Sequence, residues 1–428
     1  MIRFRLVHFV LLALCFLGGH PTANRSEAAD RPGAFAVVKV RFFDGARMVP
    51  RGTVVVNGGR IVAAGPKVRP PRGAEVIDGA GATLLPGFID AHSHTYGPAL
   101  ERALVFGVTT ELDMFADPEA MRFLREEQAA TGAPERADVR SAGFLATTAG
   151  GHGTQYGLPV PTLAGPGEAQ AWVDARLAEG SDYIKIVSED GAAYGRERPA
   201  LDHATIAALI QAAHRRRRLA VVHVSTQERA RAAVEAGADG LVHIFADEEP
   251  EPGFAPLLAR KKTFVVPTLS VSESTTGVAS GESLTVDARL APFLTPGEVT
   301  NLRQSFIARL EAPNRLEHAF AAVRRLRAAR VRILAGSDAP NPGTTHGASI
   351  HREMELLVQA GLTPLEALTA ATSAPAKAFG LTDRGRIARG LRADLVLVRG
   401  NPRQDITATR DILRIWKGGH PVERLPAP

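Results

Sequence analysis

The sequence has almost no cysteine. Among 428 residues the only one is Cys15, and it lies inside the apolar run Leu6–Leu17. That run follows Arg3 and Arg5 and gives way to Gly18-Gly19 and a polar, alanine-containing stretch to about Asp30. This is the layout of a secretory signal peptide, assigned to residues 1–29. Leu14, not a small residue, precedes Cys15, which argues against lipid attachment. Cleavage between Thr22 and Asp30 leaves a mature chain without cysteine. Disulfides, a thiol nucleophile and cysteine metal sites are then excluded together. The expected location is the periplasm or the extracellular space, where a cysteine-free chain is at no disadvantage. The run is also too short to span a bilayer comfortably, so no stable membrane insertion is expected after cleavage. Aromatic residues are scarce, at 6%. None interleaves with the densest basic run, Arg215–Arg218, and no nucleic-acid motif accompanies it. The run reads as the solvated end of a helix. Nucleic acid is not an expected partner, despite a formal charge of +6.

What the chain has is apolar content, 45% of its residues, which suits one large domain and a smaller one. From Phe35 to Asp78 short β-branched runs alternate with Asp44-Gly45 and Asn57-Gly58-Gly59, which are hairpin signals. Asp394–Val398 and Ile412–Trp416 are runs of the same kind. The two terminal segments, 30–84 and 383–428, are expected to pair into one composite β-sandwich domain. Between them, 85–382 alternates apolar runs with helical patterns. The runs are Leu84–Ile89, Thr109–Phe115, Val139–Ala146, Tyr183–Val187, Leu219–Val224, Leu241–Phe245, Phe264–Leu269 and Val331–Ala335. The helical patterns include Pro118–Ala130, Glu168–Glu179, Asp202–Arg217 and Thr226–Ala236. Eight strands alternating with helices predict an α/β fold, a (β/α)8 TIM barrel.

In such a barrel the chemistry sits at the C-terminal ends of the strands. His92 and His94 close the first run. Residues two apart in extended backbone project to one face, so both imidazoles can grip one ion. Lys185 interrupts the fourth run, His223 the fifth and His243 the sixth, and Asp338 follows the eighth. A charged lysine inside a buried strand costs several kcal/mol unless it is paired or neutralised. Six such residues at five strand ends point jointly to a metal centre.

The residues Pro86-Gly-Phe-Ile-Asp-Ala-His-Ser-His94, Lys185, His223, His243 and Gly336-Ser-Asp338 resemble the amidohydrolase superfamily. Leu362–Thr372 and Gly390–Leu397 are also typical of it. Within the superfamily the chain looks most like the branch of imidazolonepropionases and secreted Xaa-Pro dipeptidases. The resemblance implies two divalent ions, with zinc the leading identity and manganese, iron and cobalt left open. It implies that His92, His94 and Asp338 hold one ion and His223 and His243 the other. Lys185, carboxylated on its amine to N6-carboxylysine, would bridge them. The neutral amine takes up carbon dioxide, and the carbamate offers one oxygen to each ion. With Lys185 unmodified, a mononuclear site is the alternative. The implied reaction is hydrolysis of an amide or peptide C–N bond in a small substrate, a dipeptide or N-acyl amino acid. Metal-activated hydroxide would attack, with Asp338 as general base.

Specificity is expected in the loops after the strands. Gly150-Gly-His-Gly153 places His152 to donate to the oxyanion, with Tyr156 nearby. Ser188–Tyr194 offers the acidic pair Glu189-Asp190, for a substrate amine or a helix cap, and Tyr194. His346 follows the eighth strand. His152, Tyr156, Tyr194 and His346 are the expected substrate-binding residues. Residues 270–315 read as a long polar insertion, a candidate lid. No arginine is assigned to a substrate carboxylate. Association into a homo-oligomer is left open. Two other readings use the same fold: hydrolysis of a lactone, ester or phosphotriester, and an inactive periplasmic binding protein. The intact ligand set argues against the second.

Overall fold

The computed structural model describes residues 33–132, 134–308 and 312–427, so the expected signal peptide lies outside it. Five strands open the described chain: β1 (Phe35–Phe43), β2 (Met48–Asn57), β3 (Arg60–Gly65), β4 (Glu75–Asp78) and β5 (Ala82–Pro86). β2 and β3 form a hairpin whose two-residue turn, Gly58-Gly59, has positive φ at both positions. That conformation matches strand twist, and glycine adopts it without strain. Next come β6 (Phe88–Ser93), β7 (Val108–Asp113), β8 (Asp138–Ser141), β9 (Ile184–Ser188), β10 (Ala220–Val224), β11 (Gly240–Val242) and β12 (Phe264–Val266). The last three are β13 (Leu395–Arg399), β14 (Ile412–Lys417) and β15 (His420–Val422).

The terminal segments meet where β13 pairs antiparallel with β5, Leu397 opposite Leu84. They build one connected eight-stranded sheet, β15-β14-β13-β5-β1-β2-β3, with β4 on β1. A sandwich of two sheets was expected here. The two halves are continuous because β1 changes partner along its length: Phe35–Val38 pair with β4, and Arg41-Phe42 with β5. The switch falls at Lys39, whose φ of 53° breaks the regular strand. Phe35, Val37, Val54, Ile61, Leu84, Leu395 and Trp416 form the buried cluster of this sheet.

The inner strands are parallel, in ladders β6-β7-β8 and β9-β10-β11-β12. Parallel bridges Ala146–Ile186, Val265–Ile333 and Ser93–Ala339 link β9 to the chain beyond β8, β12 to the 331–335 segment, and the chain beyond that segment to β6. Helices Pro118–Thr131, Ala169–Ala178, His203–Arg215 and Gln227–Ala236 fall where the patterns placed them. Arg215–Arg218 ends one of them and is exposed. Several strands are shorter than expected, β11 among them, which stops at Val242. β8 stops at Ser141, because Gly143 turns with φ 63° and only Ala146 rejoins the ladder. β12 stops before Pro267, which has no N–H to give. The expected strand Val331–Ala335 makes only an isolated bridge. Its backbone groups are divided among Val265, Ala91 and Ala370.

The junction at Gly87 explains its glycine. A Cβ there would lie 2.3 Å from Thr109 Oγ1. Opposite the C-terminal strand ends, Asp138 at the start of β8 anchors the terminal sheet. Lys417 Nζ and Arg392 Nη1 each reach it at 2.6 Å, and Arg384 donates to it as well. Burial alone would raise this carboxyl. The three cations outweigh burial and hold it well below the usual carboxylate range. Asp138→Ala takes from Lys417 its one ion pair among the described residues, leaves Arg384 and Arg392 only Asp383 and Asp394, and is expected to cost about 3–5 kcal/mol in urea melts, as for other broken buried pairs. A depressed native pKa gives stability that is present above the unfolded value, near pH 4, and lost as pH falls through the native one. Acid melts of the wild type should therefore steepen below pH 4, and those of the variant should not.

Candidate metal centre

The C-terminal ends of the parallel strands converge on a cavity of about 520 Å³. His92, His94, His152, Tyr156, Lys185, Tyr194, His223, His243 and Asp338 all line it. His346 does not, and its sequence assignment to substrate is corrected. Its Nδ1 lies 2.9 Å from Glu111 on β7, in a buried network that also takes the Ser93 and Thr95 hydroxyls.

The backbone beneath the site is clipped together. Asp90 accepts from the backbone N–H of His92 and from both the N–H and Oγ of Ser337. This joins β6 to the segment carrying Asp338. A Cβ on Gly336 would fall 2.8 Å from the His92 nitrogen, so only glycine allows the approach. Asp338 itself sits at φ 54°, held by its N–H to the His92 carbonyl. A non-glycine residue in the left-handed region is uncommon and marks a position fixed by its surroundings.

Asp338 Oδ1 stands 3.1 Å from His92 Nε2 and 2.9 Å from His94 Nε2, and Oδ2 is 3.8 Å from His243 Nε2. Yet His92 Nε2 and Asp338 Oδ1, both buried, have no partner in hydrogen-bond geometry among the described residues. Atoms this close that do not bond to one another face a common point. Ligands on a tetrahedral zinc, at about 2.0–2.1 Å from it, stand roughly 3.3 Å apart. The donor set and spacing fit an ion.

The protonation states agree. Burial, then Lys185, lowers His92 to about 3, so the ring is neutral and has a lone pair to offer. Burial raises Asp338, but the His92 and His243 imidazoles outweigh it and keep the carboxylate ionised. Thr268 Oγ1 donates to the Pro267 carbonyl at 2.8 Å, so it accepts from His243 Nδ1 at 2.5 Å. His243 therefore carries its proton on Nδ1 and turns the Nε2 lone pair towards Asp338. Burial lowers Lys185 to about 7 against the pull of Asp338 and Asp113, so much of it is a neutral amine at neutral pH.

Among the described residues two groups of side chains are tight enough to hold an ion: His92, His243 and Asp338; and His152, Glu189 and His223. The sequence had grouped His243 with His223. Here Asp338 faces His92, His94 and His243 together, while His223 turns to Glu189. Arg198 is a site residue that the sequence left unassigned, and Glu189 one that it offered only to a substrate amine or a helix cap. Glu189 is the first residue past β9, and its Oε2 lies 2.6 Å from His223 Nε2. Its neighbour Asp190 caps a turn at Ala192 and pairs with Arg229, the structural half of the acidic pair. Arg198 donates to His152 Nδ1 at 3.2 Å. A guanidinium only donates, so the His152 proton sits on Nε2.

The 270–315 segment is less polar in effect than in composition. Leu284, Leu290, Leu294 and Leu302 pack with Phe106 and Ala348. Val271, Phe306 and Ile307 from it line the cavity, as do Leu145 and Ile244. Arg196 and Arg198 line it as well.

Residues 83–422 match the amidohydrolase family. An imidazolonepropionase from Cereibacter sphaeroides is 27% identical over 423 residues, covering 89% of this chain and 92% of that protein. An ochratoxinase from Aspergillus niger is 26% identical over 318 residues, 66% of this chain and 59% of that protein. A solved Xaa-Pro dipeptidase with methionine bound in its active site has the same fold. Its TM-score is 0.74 at 23% identity, over 91% of this chain and 100% of that one.

Proposed function

The chain belongs to the amidohydrolase family and is a metal-dependent hydrolase of carbon–nitrogen bonds; we propose that it is an exported, binuclear enzyme cleaving a dipeptide or an N-acyl amino acid. We read the parallel segments of residues 85–382 as a (β/α)8 barrel and the terminal sheet, 30–84 with 383–428, as its small companion domain. The observation that carries the functional reading is the convergence of His92, His94, Lys185, His223, His243 and Asp338 on one cavity.

His92, His94 and Asp338 would hold one ion. His223 and His243 would hold a second, with carboxylated Lys185 between the two. When bound, divalent ions such as zinc would supply a water of lowered pKa and polarise the scissile carbonyl. Asp338 is placed to take the proton of the attacking water and return it to the leaving amine. His152, with its proton on Nε2, offers a donor to the carbonyl oxygen as negative charge develops there. Arg196 and Arg198 give a substrate carboxylate its counter-charge. Leu145, Ile244, Val271 and Phe306 suit an apolar side chain. The carboxylate and the apolar group together favour an acylated or dipeptidic amino acid over a neutral lactone.

Dialysis against a chelator is expected to abolish turnover and lower Tm by several degrees, with zinc restoring both, because the ions bind only the folded chain. Unchanged activity after verified metal removal would remove the basis of the proposal. The substrate class is tested by screening metal-loaded protein against dipeptides, N-acyl amino acids, lactones and phosphotriesters. Turnover of lactones alone would replace the amide reading, and turnover of none would favour a binding protein. For export, N-terminal sequencing of protein from the periplasmic fraction should find residues up to a point between Thr22 and Asp30 removed.

A further inference from the structure

We propose that Glu189 fixes the tautomer of His223, making Nδ1 the atom that ligates the ion. The inference rests on the metal-centre reading above. Glu189, His152 and His223 are close enough to hold an ion of their own, but the geometry speaks for a hydrogen bond. At 2.6 Å, His223 Nε2 and Glu189 Oε2 are nearer than ligands sharing a tetrahedral ion, roughly 3.3 Å apart. They also meet in hydrogen-bond geometry, which His92 Nε2 and Asp338 Oδ1 do not. An ionised carboxylate only accepts, so the imidazole donates and its proton is on Nε2. The lone pair is left on Nδ1.

His243 shows the complementary arrangement. Thr268 Oγ1 accepts from its Nδ1–H, and Nε2 keeps the lone pair. The two rings stand edge to face with centroids 4.7 Å apart. Two histidines on adjacent strands would thus approach one centre through different nitrogens, each set by its own outer partner. Partners of this kind orient a ligating ring and typically tune metal affinity 10–100-fold. Glu189 is itself held. Its Oε1 is 3.6 Å from Arg198 Nε, and Arg198 also fixes His152. Glu189 is thus a positioning residue, acting on the ion through His223.

Long-range ¹H–¹⁵N correlation spectra of histidine-labelled, metal-free protein read the tautomer directly, with His223→Gln assigning the resonance. The expected wild-type result is a proton on Nε2, with the bias lost in Glu189→Gln and Glu189→Ala. Chelator competition should show the weaker zinc step loosened 10–100-fold in both variants, and the tighter step unmoved. A wild-type ring protonated on Nδ1 would overturn the inference, as would zinc affinity unchanged in both variants. So would a cobalt-loaded Glu189→Ala protein whose visible spectrum reports a lost oxygen ligand, since Glu189 would then bind the ion itself. A wild type that takes one ion, loosened by Glu189→Gln, keeps the inference and removes the two-ion reading instead.

Discussion

Asp338→Asn is expected to lower kcat at least a thousand-fold without unfolding the protein. The carboxylate is asked to do two things. Its Oδ1 converges with His92 and His94, and its Oδ2 faces His243. An amide retains one carbonyl oxygen for the ion, but its nitrogen accepts no proton. Loss of a general base alone typically costs 10²–10⁴-fold, and weaker ion binding adds to that. Asparagine is the right probe because of the backbone. At φ 54° most side chains are strained, whereas Asn and Asp visit this region with least penalty. Circular dichroism and Tm should therefore remain near wild type while turnover disappears. Full turnover with the normal metal content would show that the proton is carried elsewhere.

Lys185→Ala is expected to reduce the metal content from about two ions per chain to one or fewer, with a comparable collapse in kcat. Lys185 is 2% exposed, and no carboxylate among the described residues lies within ion-pair distance of it. A buried ammonium without a partner is costly, so the neutral amine, the form able to take up carbon dioxide, is the one this position favours. Removing the side chain would remove the proposed carbamate with it and leave a space in its place. Short carboxylic acids such as acetate or propionate should partly restore metal binding to the variant by entering it. Elemental analysis before and after their addition reads this without a substrate. An unchanged count of one ion in both proteins would make the site mononuclear and Lys185 unmodified.

The strand ends were legible because each polar group interrupts an apolar run. His223 in Ala-Val-Val-His-Val and Lys185 in Ile-Lys-Ile-Val stand out against buried neighbours. The short ladders were less legible. Leu241–Phe245 and Phe264–Leu269 are apolar but for His243 and Thr268, yet pairing stops at Val242 and Val266, just before these polar residues. Glu189 was hidden for another reason. Its meaning depends on His223, 34 residues away, while its neighbour Asp190 does the ordinary work of a loop acid. His346 was the converse case. It follows the eighth segment as a substrate residue would, but its partner Glu111 lies 235 residues earlier, and no local pattern reports that. The switch of β1 between β4 and β5 turns on one left-handed lysine, a backbone choice that lysine does not advertise.

The Asp138 clamp has a consequence for how this enzyme can change. It ties Lys417, Arg384 and Arg392 to the starting ends of the strands, whereas the cavity wall is built from loops at their finishing ends. Distant sites contribute to stability nearly independently. Residues such as Tyr156, Arg196 and Ile307 can therefore be exchanged while the clamp's share of the folding free energy stays intact. The molecule keeps its tolerance for mutation at one end and its novelty at the other. A library confined to Tyr156, Arg196, Phe306 and Ile307 should yield mostly folded proteins with altered substrate preference, and the same mutational load around Asp138 should yield few folded ones.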